Sequence, residues 1–597
     1  MVDGGVAEAV SQGTWNLSEL YGGFDDPRLA ADQQRARDGA SAFVSRYRGR
    51  IGALDASEFL AALREFEAIT ALTGKPGHYA SLRFSVSTDV PEVQAAYAQA
   101  QAFEAEINQE LAFFTVELSS IPLQQFEALA DSQELRPYRH YLHFQRMFTD
   151  YTLAEDVERT ILRMQVTGRD AWVNLYTQVT SSLEFEVEVA GQLRVLTSSE
   201  VRALATDVDR SLRDRALQAT VEAYEPHTPV LTHVFNTLFE EHRSEMTERG
   251  YDDVMDYTVL KDDLAPDIVD ALLDVTTGHM PIVHRYHALR KRVLGLDDYG
   301  MQDVRAPAFG EEPQVSWERA SELVVEAFTG FSPEAGDIAT RFLTQGWVDV
   351  FPRKGKRGGA FCAPGYPPEH PWVMVNFTGK TDNVFTLAHE LGHALHFTLA
   401  LEQSPLNYWT GLPLAETASV FAELWLHEHL MSVSDDPKLQ RQLLDRQIQG
   451  AVGTAFNQVA YIHWERRAHA ARAESVASAG DFGRLWSEEQ SRLLGDAVLL
   501  QDRDQHRWMR IPHFVFARFY CYSYAFGKLL TLGLADLWRE QGAVFVSDYL
   551  ALLRAGGSMT PSELVTELGI DLSDREFWER GCSVVDRYLI QLEELVD

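Results

Sequence analysis

"TLAHELGHALHF", residues 386–397, holds three histidines and a glutamate within eight positions. On a helix, His389 and His393 fall one turn apart on one face. Two imidazoles so placed can reach one ion at the ~2.0–2.1 Å that zinc takes from histidine. Glu390 stands one position on, to the side of that face, and can work on a water beside the ion without ligating it. That is the chemical content of the H-E-x-x-H spacing. The competing reading is a buried helix whose histidines are merely packed, so the surrounding sequence has to decide.

A zinc hydrolase needs a third protein ligand and an open fourth position. His396 lies near the same face, but three ligands on one straight helical turn strain to converge. The metzincin spacing needs Gly at 396 and His at 399, where this chain has His396 and Leu399. The common aminopeptidase spacing needs an acid at 412, which is Leu412. A turn region with Pro405, Gly411 and Pro413 follows, and PLAETASVFAELWLHEHLM then reads as a second helix. Run antiparallel to the first, it would bring Glu416 and Glu423, seven apart on one face, over the histidines. Glu416, in its first turn, is expected as the third ligand, and Glu423 as the carboxylate that supports a ligand from behind. His427 and His429, two apart, face different ways, and His140 and His143 lack an acid at a useful offset. All four read as structural.

The bulk composition removes other function classes. The 597 residues carry 53 basic and 88 acidic side chains, a formal net charge of −35. Phosphate binding needs clustered Lys and Arg, so nucleic acid is excluded as a partner, as are anionic membrane surfaces. Three sparse cysteines, Cys362, Cys521 and Cys582, make neither a disulfide framework nor a cysteine zinc cluster and fit a reducing compartment. The opening MVDGGVAEAVSQG lacks the basic and apolar runs of a signal peptide. The most apolar long stretch, Phe514 to Trp538, contains Arg518, Lys528 and several tyrosines and is a poor membrane span. A cytoplasmic protein is expected.

Apolar residues at three- and four-residue spacing predict a mainly α chain. Two places break that period. LEFEVEV, 183–189, alternates apolar and acidic residues; Ala190-Gly191 and QLRVL follow, which predicts a hairpin over 183–196. Between Lys354 and Phe377, Gly, Pro and Lys cluster and WVMVNF alternates, which predicts a second sheet piece near 358–378. Lying directly before the histidine helix, its edge could hold an extended peptide by backbone hydrogen bonds.

Near the C-terminus, MRIPHFVFARFYCYSYAFGK, 509–528, concentrates His513, Tyr520, Tyr522 and Tyr524. A buried aromatic helix would have the same composition. Beside a zinc site it gains a use, because peptide hydrolysis builds negative charge on the carbonyl oxygen and a Tyr or His donor there lowers the barrier.

HELGHALH, PLAETASVFAEL and IPHFVFARFYCYSYA together resemble the oligoendopeptidase F branch of the thimet oligopeptidase-like zinc metallopeptidases. WNLSELYGGFDDP, ERGYDDVMDY, GKRGGAFCAPG and NFTGKTDNVFTLAHE extend the resemblance over most of the chain. It implies a mostly helical, two-lobed body with a deep channel, with 1–200 as an N-terminal helical region and 201–597 as the catalytic region. It implies one Zn2+ on His389, His393 and Glu416, with Glu390 as general base. His513 and Tyr522 would bind substrate and transition state, with Tyr520 nearby. Gly358, Gly359, Ala360 and Phe361 would hold the substrate backbone. Thimet-type members carry a Gly-rich loop with a further Tyr in the gap that FVFAR fills here, so that role has no residue. The implied activity is endopeptidase cleavage of short oligopeptides. Two rivals remain: a helical zinc carboxypeptidase, and a silent peptide-binding scaffold, which would have no need of Glu390.

Overall fold

The structure, a computed structural model, describes residue 10, residues 12–310 and residues 313–597. The opening stretch read above for a leader lies outside the described residues except at positions 10, 12 and 13. Helices dominate, as the apolar period predicts. Their ends follow local chemistry. Thr197 and Glu200 form a reciprocal capping box, with the Thr197 N–H donating to Glu200 at 2.8 Å.

The predicted hairpin is present: β1 (Phe185–Val189) pairs antiparallel with β2 (Gln192–Leu196). Ala190 and Gly191 both take positive φ, +52° and +77°, as a two-residue turn matched to the strand twist requires. The second sheet has three short strands, β3 (Val348–Asp349), β4 (Phe361–Ala363) and β5 (Trp372–Met374). β5 is central, parallel to β3 and antiparallel to β4, so β4 is an edge strand.

That edge begins later than expected. Of Gly358, Gly359, Ala360 and Phe361, only Phe361 belongs to β4. Gly359 takes φ +81°, a left-handed conformation outside the extended range of a regular strand. The loop is held from below, where Asn376 Nδ2 donates to the carbonyls of Arg357 at 2.9 Å and Gly359 at 2.7 Å. Ahead of it, the buried Lys356 ammonium pairs with Asp349 at 2.7 Å.

The chain divides into two compact units. One comprises Met1–Asp150, Glu312–Val433 and Leu537–Asp571; the other Tyr151–Glu311, Ser434–Asp536 and Leu572–Asp597. The division expected at residue 200 falls inside the second unit, in the helix Ser198–Ala203. In the first unit, helices Pro27–Tyr47, Ala56–Val86 and Pro91–Leu111 close over a core that includes Phe43, Phe59 and Phe103. The same unit holds α1 (Thr381–Ala400) and α2 (Thr417–Val433). The second unit packs α3 (Asn457–Glu474) in a core with Phe235, Phe239, Trp464 and Phe514. It also contains the start of α4 (Cys521–Gln541). No helix among the described residues is long and apolar enough to cross a membrane.

Candidate metal centre and active site

The opening motif lies on α1. Asn383 fixes the start of this helix by accepting from the Thr378 N–H at 2.8 Å and the Thr378 hydroxyl at 2.9 Å. Apolar residues such as Phe385, Leu391 and Leu395 bury most of its circumference and leave His389 and His393 partly open. Gly392 sits where α1 and α2 nearly touch. A Cβ there would meet the Ala418 carbonyl oxygen at 2.5 Å and the Ser419 Cα at 2.7 Å. The glycine inside H-E-L-G-H thus sets the separation of the two helices, and through it the reach of the acids on α2.

Those acids converge as expected. The ligand atoms of His389, His393 and Glu416 all lie within 4.8 Å of one another. Glu416 Oε2 is 3.4 Å from His389 Nε2 and 3.6 Å from His393 Nε2. Tetrahedral donors with ~2.0–2.1 Å bonds stand about 3.3–3.4 Å apart, so this spacing suits one small dication. It is longer than an ordinary hydrogen bond. Glu416 occupies the junction between the short helix Leu412–Ala415 and α2, not the first turn of one continuous helix. Its carboxylate accepts from the Ser419 hydroxyl at 3.0 Å, which holds the side chain toward the histidines. Behind His389, Glu423 Oε1 lies 2.8 Å from Nδ1. This leaves Nε2 as the lone-pair face toward Glu416 and His393.

The electrostatics favour positive charge at this point. Burial works against a charged His389, but the carboxylates of Glu416 and Glu423, one beside each ring nitrogen, draw its pKa up to about 10. Burial and the neighbouring His389 hold His393 down to about 4. Glu390 is outside the donor group; burial pushes its carboxyl up to about 7, an effect that the nearby backbone N–H of Cys362 on β4 partly offsets. The edge strand and the expected general base are therefore in contact, which the sequence did not announce. His396 is buried away from the donors, and burial holds it neutral with a pKa near 3. His140 Nδ1 meets the Gly557 carbonyl at 2.7 Å, His143 packs edge-on against Phe126, and His429 pairs with Glu326 at 3.0 Å. His427 is buried.

The C-terminal constellation divides by helical face. His513 Nε2 lies 3.2 Å from the Tyr524 hydroxyl, and the rings of Tyr520 and Tyr524 meet edge-on at 5.1 Å. His513 and Tyr520 stack with centroids 6.1 Å apart. Tyr522 departs from the expectation. It is fully buried, and its hydroxyl donates to Asp262 at 2.7 Å, beside a second 2.7 Å bond from Ser523 to the same oxygen. Two residues off along α4 means the opposite side, so the polar face carries Tyr520 and Tyr524. Tyr524 was named in the sequence but given no role, and its spacing of four from Tyr520 was the available signal. Phe519, just before, takes φ +56°, a strained conformation for a residue with a Cβ. The buried Glu465 carboxylate on α3 accepts its N–H at 3.0 Å.

Comparisons with known proteins agree with this arrangement. Residues 203–584 match peptidase family M3, and residues 117–185 match Oligopeptidase F. Group B oligopeptidase PepB of Streptococcus agalactiae is 26% identical over 551 residues, covering 91% of each chain. The oligoendopeptidase F homolog of Lactococcus lactis is 25% identical over 592 residues, covering 98% of this chain and 97% of its own. The fold is that of oligoendopeptidase-F from Enterococcus faecium, with a TM-score of 0.69 at 23% identity over 96% of this chain and 98% of that one. A solved protein from Chlamydophila abortus superposes with a TM-score of 0.86 at 22% identity, covering 98% of both chains. The match over residues 203–584 takes in both the α1–α2 donors and the His513 segment, and by it the chain belongs to peptidase family M3 and is a metallopeptidase.

Proposed function

We propose that the chain is a zinc-dependent endopeptidase that cleaves internal bonds of short, unstructured oligopeptides in the cytoplasm. The observation that carries this reading is the convergence of His389, His393 and Glu416, with Glu390 alongside but outside the donor group. The relatives named oligoendopeptidase F support an internal cut. Three unpaired cysteines fit a reducing compartment.

His389, His393 and Glu416 are the residues that would hold zinc, and a bound zinc ion would supply Lewis acidity and lower the pKa of water. Glu390 takes a proton from the attacking water and returns it to the leaving amine, so peptide and water become an acid and an amine in balance. The free edge of β4 offers backbone groups to an extended substrate. Phe361 to Ala363 replace the glycine-led segment in that role. His513, Tyr520 and Tyr524 are the proposed donors to the carbonyl oxygen as it gains charge. Tyr522, bonded to Asp262, is not among them.

The test is product mapping by mass spectrometry on a mixed peptide set, with chelator and with zinc restored. Internal cuts that vanish with chelator and return with zinc are expected, including cuts in peptides whose C-terminus is amidated. Removal of single C-terminal residues from free-acid peptides alone would replace the endopeptidase reading with a carboxypeptidase one. Tight peptide binding without turnover would favour a scaffold.

A further inference from the structure

The most acidic feature of this protein is its overall composition, yet one cavity reverses the sign. A cavity of about 520 Å³ in the second unit is lined by Arg202, Arg213, Arg305, Arg507, Arg510 and His513, with no Asp or Glu among its lining residues. Five arginines without a lining carboxylate are unexpected in a chain with 88 acidic and 53 basic residues. One of the five is neutralised from outside the wall, since Arg213 pairs with the buried Asp303 at 2.9 Å.

The others differ. Arg507 comes no closer than 3.5 Å to Asp504, beyond hydrogen-bond length, and its Nη1 is buried without a hydrogen-bond partner on the protein. No side-chain hydrogen bond or ion pair ties down Arg510, which is partly buried. Burial and the like charge of Arg507 lower its pKa to about 10, so the guanidinium stays cationic at neutral pH at a cost to the fold. Arg202 and Arg305 are exposed on the same lining. Arg507 thus has one acid near it, at 3.5 Å and without a hydrogen bond, and Arg510 has none bonded to it; cations held so loosely on a cavity wall mark a place where an anion is supplied from elsewhere.

The position says which anion. Arg510 ends the turn Arg507–Arg510, and His513 begins the next short helix three residues on. His513 lines the cavity and also meets Tyr524 on the proposed catalytic face. A group bound here therefore belongs to the molecule that His513 touches. Guanidinium matches a carboxylate with two parallel hydrogen bonds.

Resting on the peptidase reading above, we propose that Arg507 and Arg510 form a subsite for a carboxylate of the peptide substrate, with Arg202 and Arg305 attracting it from solvent. Two sources carry that chemistry, the free C-terminus and an acidic side chain. The C-terminus is shared by every oligopeptide and limits productive binding to chains whose end falls within reach.

The experiment measures binding rather than turnover, so it stands apart from the catalytic reading. Calorimetry on the zinc-loaded Glu390→Gln protein compares one peptide as free acid and as C-terminal amide. A third peptide, amidated, carries internal Glu in place of Gln. The expected result is roughly 10–100-fold weaker binding of the amide, the loss that goes with one charge-assisted pair. That ratio should fall toward one in Arg510→Met and in Arg507→Met. Arg510→Met should keep or raise the melting temperature, because it removes an uncompensated charge. A merely structural arginine would instead lower the melting temperature and leave the ratio alone. A preference for the internal Glu, with acid and amide equal, would assign the subsite to a side-chain carboxylate. Equal binding of all three peptides would overturn the subsite, even if the wild-type enzyme cleaves them. Carboxylate-dependent binding without any cleavage by the wild type would keep the subsite and sink the peptidase reading.

Discussion

Glu423 Oε1 stands 2.8 Å from Nδ1 of His389, while Glu416 Oε2 stands 3.4 Å from Nε2 of the same ring. One imidazole is thus held between two carboxylates of α2 and its junction, one on each nitrogen. Glu423 fixes the ring and its tautomer; Glu416 shares the donor cluster with it. Losing such an orienting partner costs about 10–100-fold in metal affinity. Glu423→Ala should therefore lose metal in a chelator titration while still binding it at excess zinc. Glu416→Ala should retain less metal than Glu423→Ala, because two histidines alone are an incomplete site. The reverse order would exchange the two roles.

Glu390→Gln removes the proposed base and leaves the three candidate donors in place. Turnover should drop about 10²–10⁴-fold, the scale of general-base catalysis, with metal content by elemental analysis unchanged. A variant that keeps its zinc and cleaves peptide near the wild-type rate would dismiss Glu390 as base.

The two tyrosines two positions apart should behave oppositely. Tyr522→Phe takes one of two donors from the buried Asp262 and should cost about 1–3 kcal/mol of stability with little change in kcat. Tyr524→Phe should leave stability nearly intact and lower kcat by about 10²–10³-fold, as removal of an oxyanion donor does. Equal kinetic losses in both would return Tyr522 to the catalytic group.

Glu465 makes the fold pH-dependent in a stated direction. Burial pushes its carboxyl from an ordinary 4.5 up to about 8, with the Phe519 N–H and Arg518 only partly offsetting this. Cys521, also buried, is the other titratable group facing it. With the folded pKa raised, its contribution is fully present below about pH 4.5 and is lost as pH rises through about 8. Melting temperatures of Glu465→Gln and wild type should therefore diverge between those values, the variant being favoured at high pH. A gap that stays flat across pH 5–9 would contradict the assignment.

Gly392→Ala places a methyl group against the Ala418 carbonyl and the Ser419 backbone, where the approach is 2.5–2.7 Å. Separating α1 from α2 should cost about 1–3 kcal/mol and carry Glu416 and Glu423 away from the histidines. A thermal melt alongside metal retention checks both; loss of stability with full metal affinity would mean that α2 moves without its acids.

Much of this protein is local, and local features are legible in a sequence. H-E-x-x-H lies within two helical turns, so the helical period alone aims both imidazoles the same way. The seven-residue interval from Glu416 to Glu423 and the two-residue turn at Ala190-Gly191 are equally local. The same period separates Tyr522 from Tyr520 and Tyr524, which stand four apart on one face. What packing alone decided joins distant segments: Asp262 under Tyr522, 260 residues apart, and Cys362 against Glu390. The arginine cavity gathers residues 202, 213, 305, 507 and 510 with no shared spacing. The start of β4 at Phe361 likewise follows a loop that Asn376, 17 residues from Gly359, holds through the Arg357 and Gly359 carbonyls. Backbone periodicity fixes where a side chain points on its own helix or strand, whereas what it meets depends on which other segment the core brings beside it.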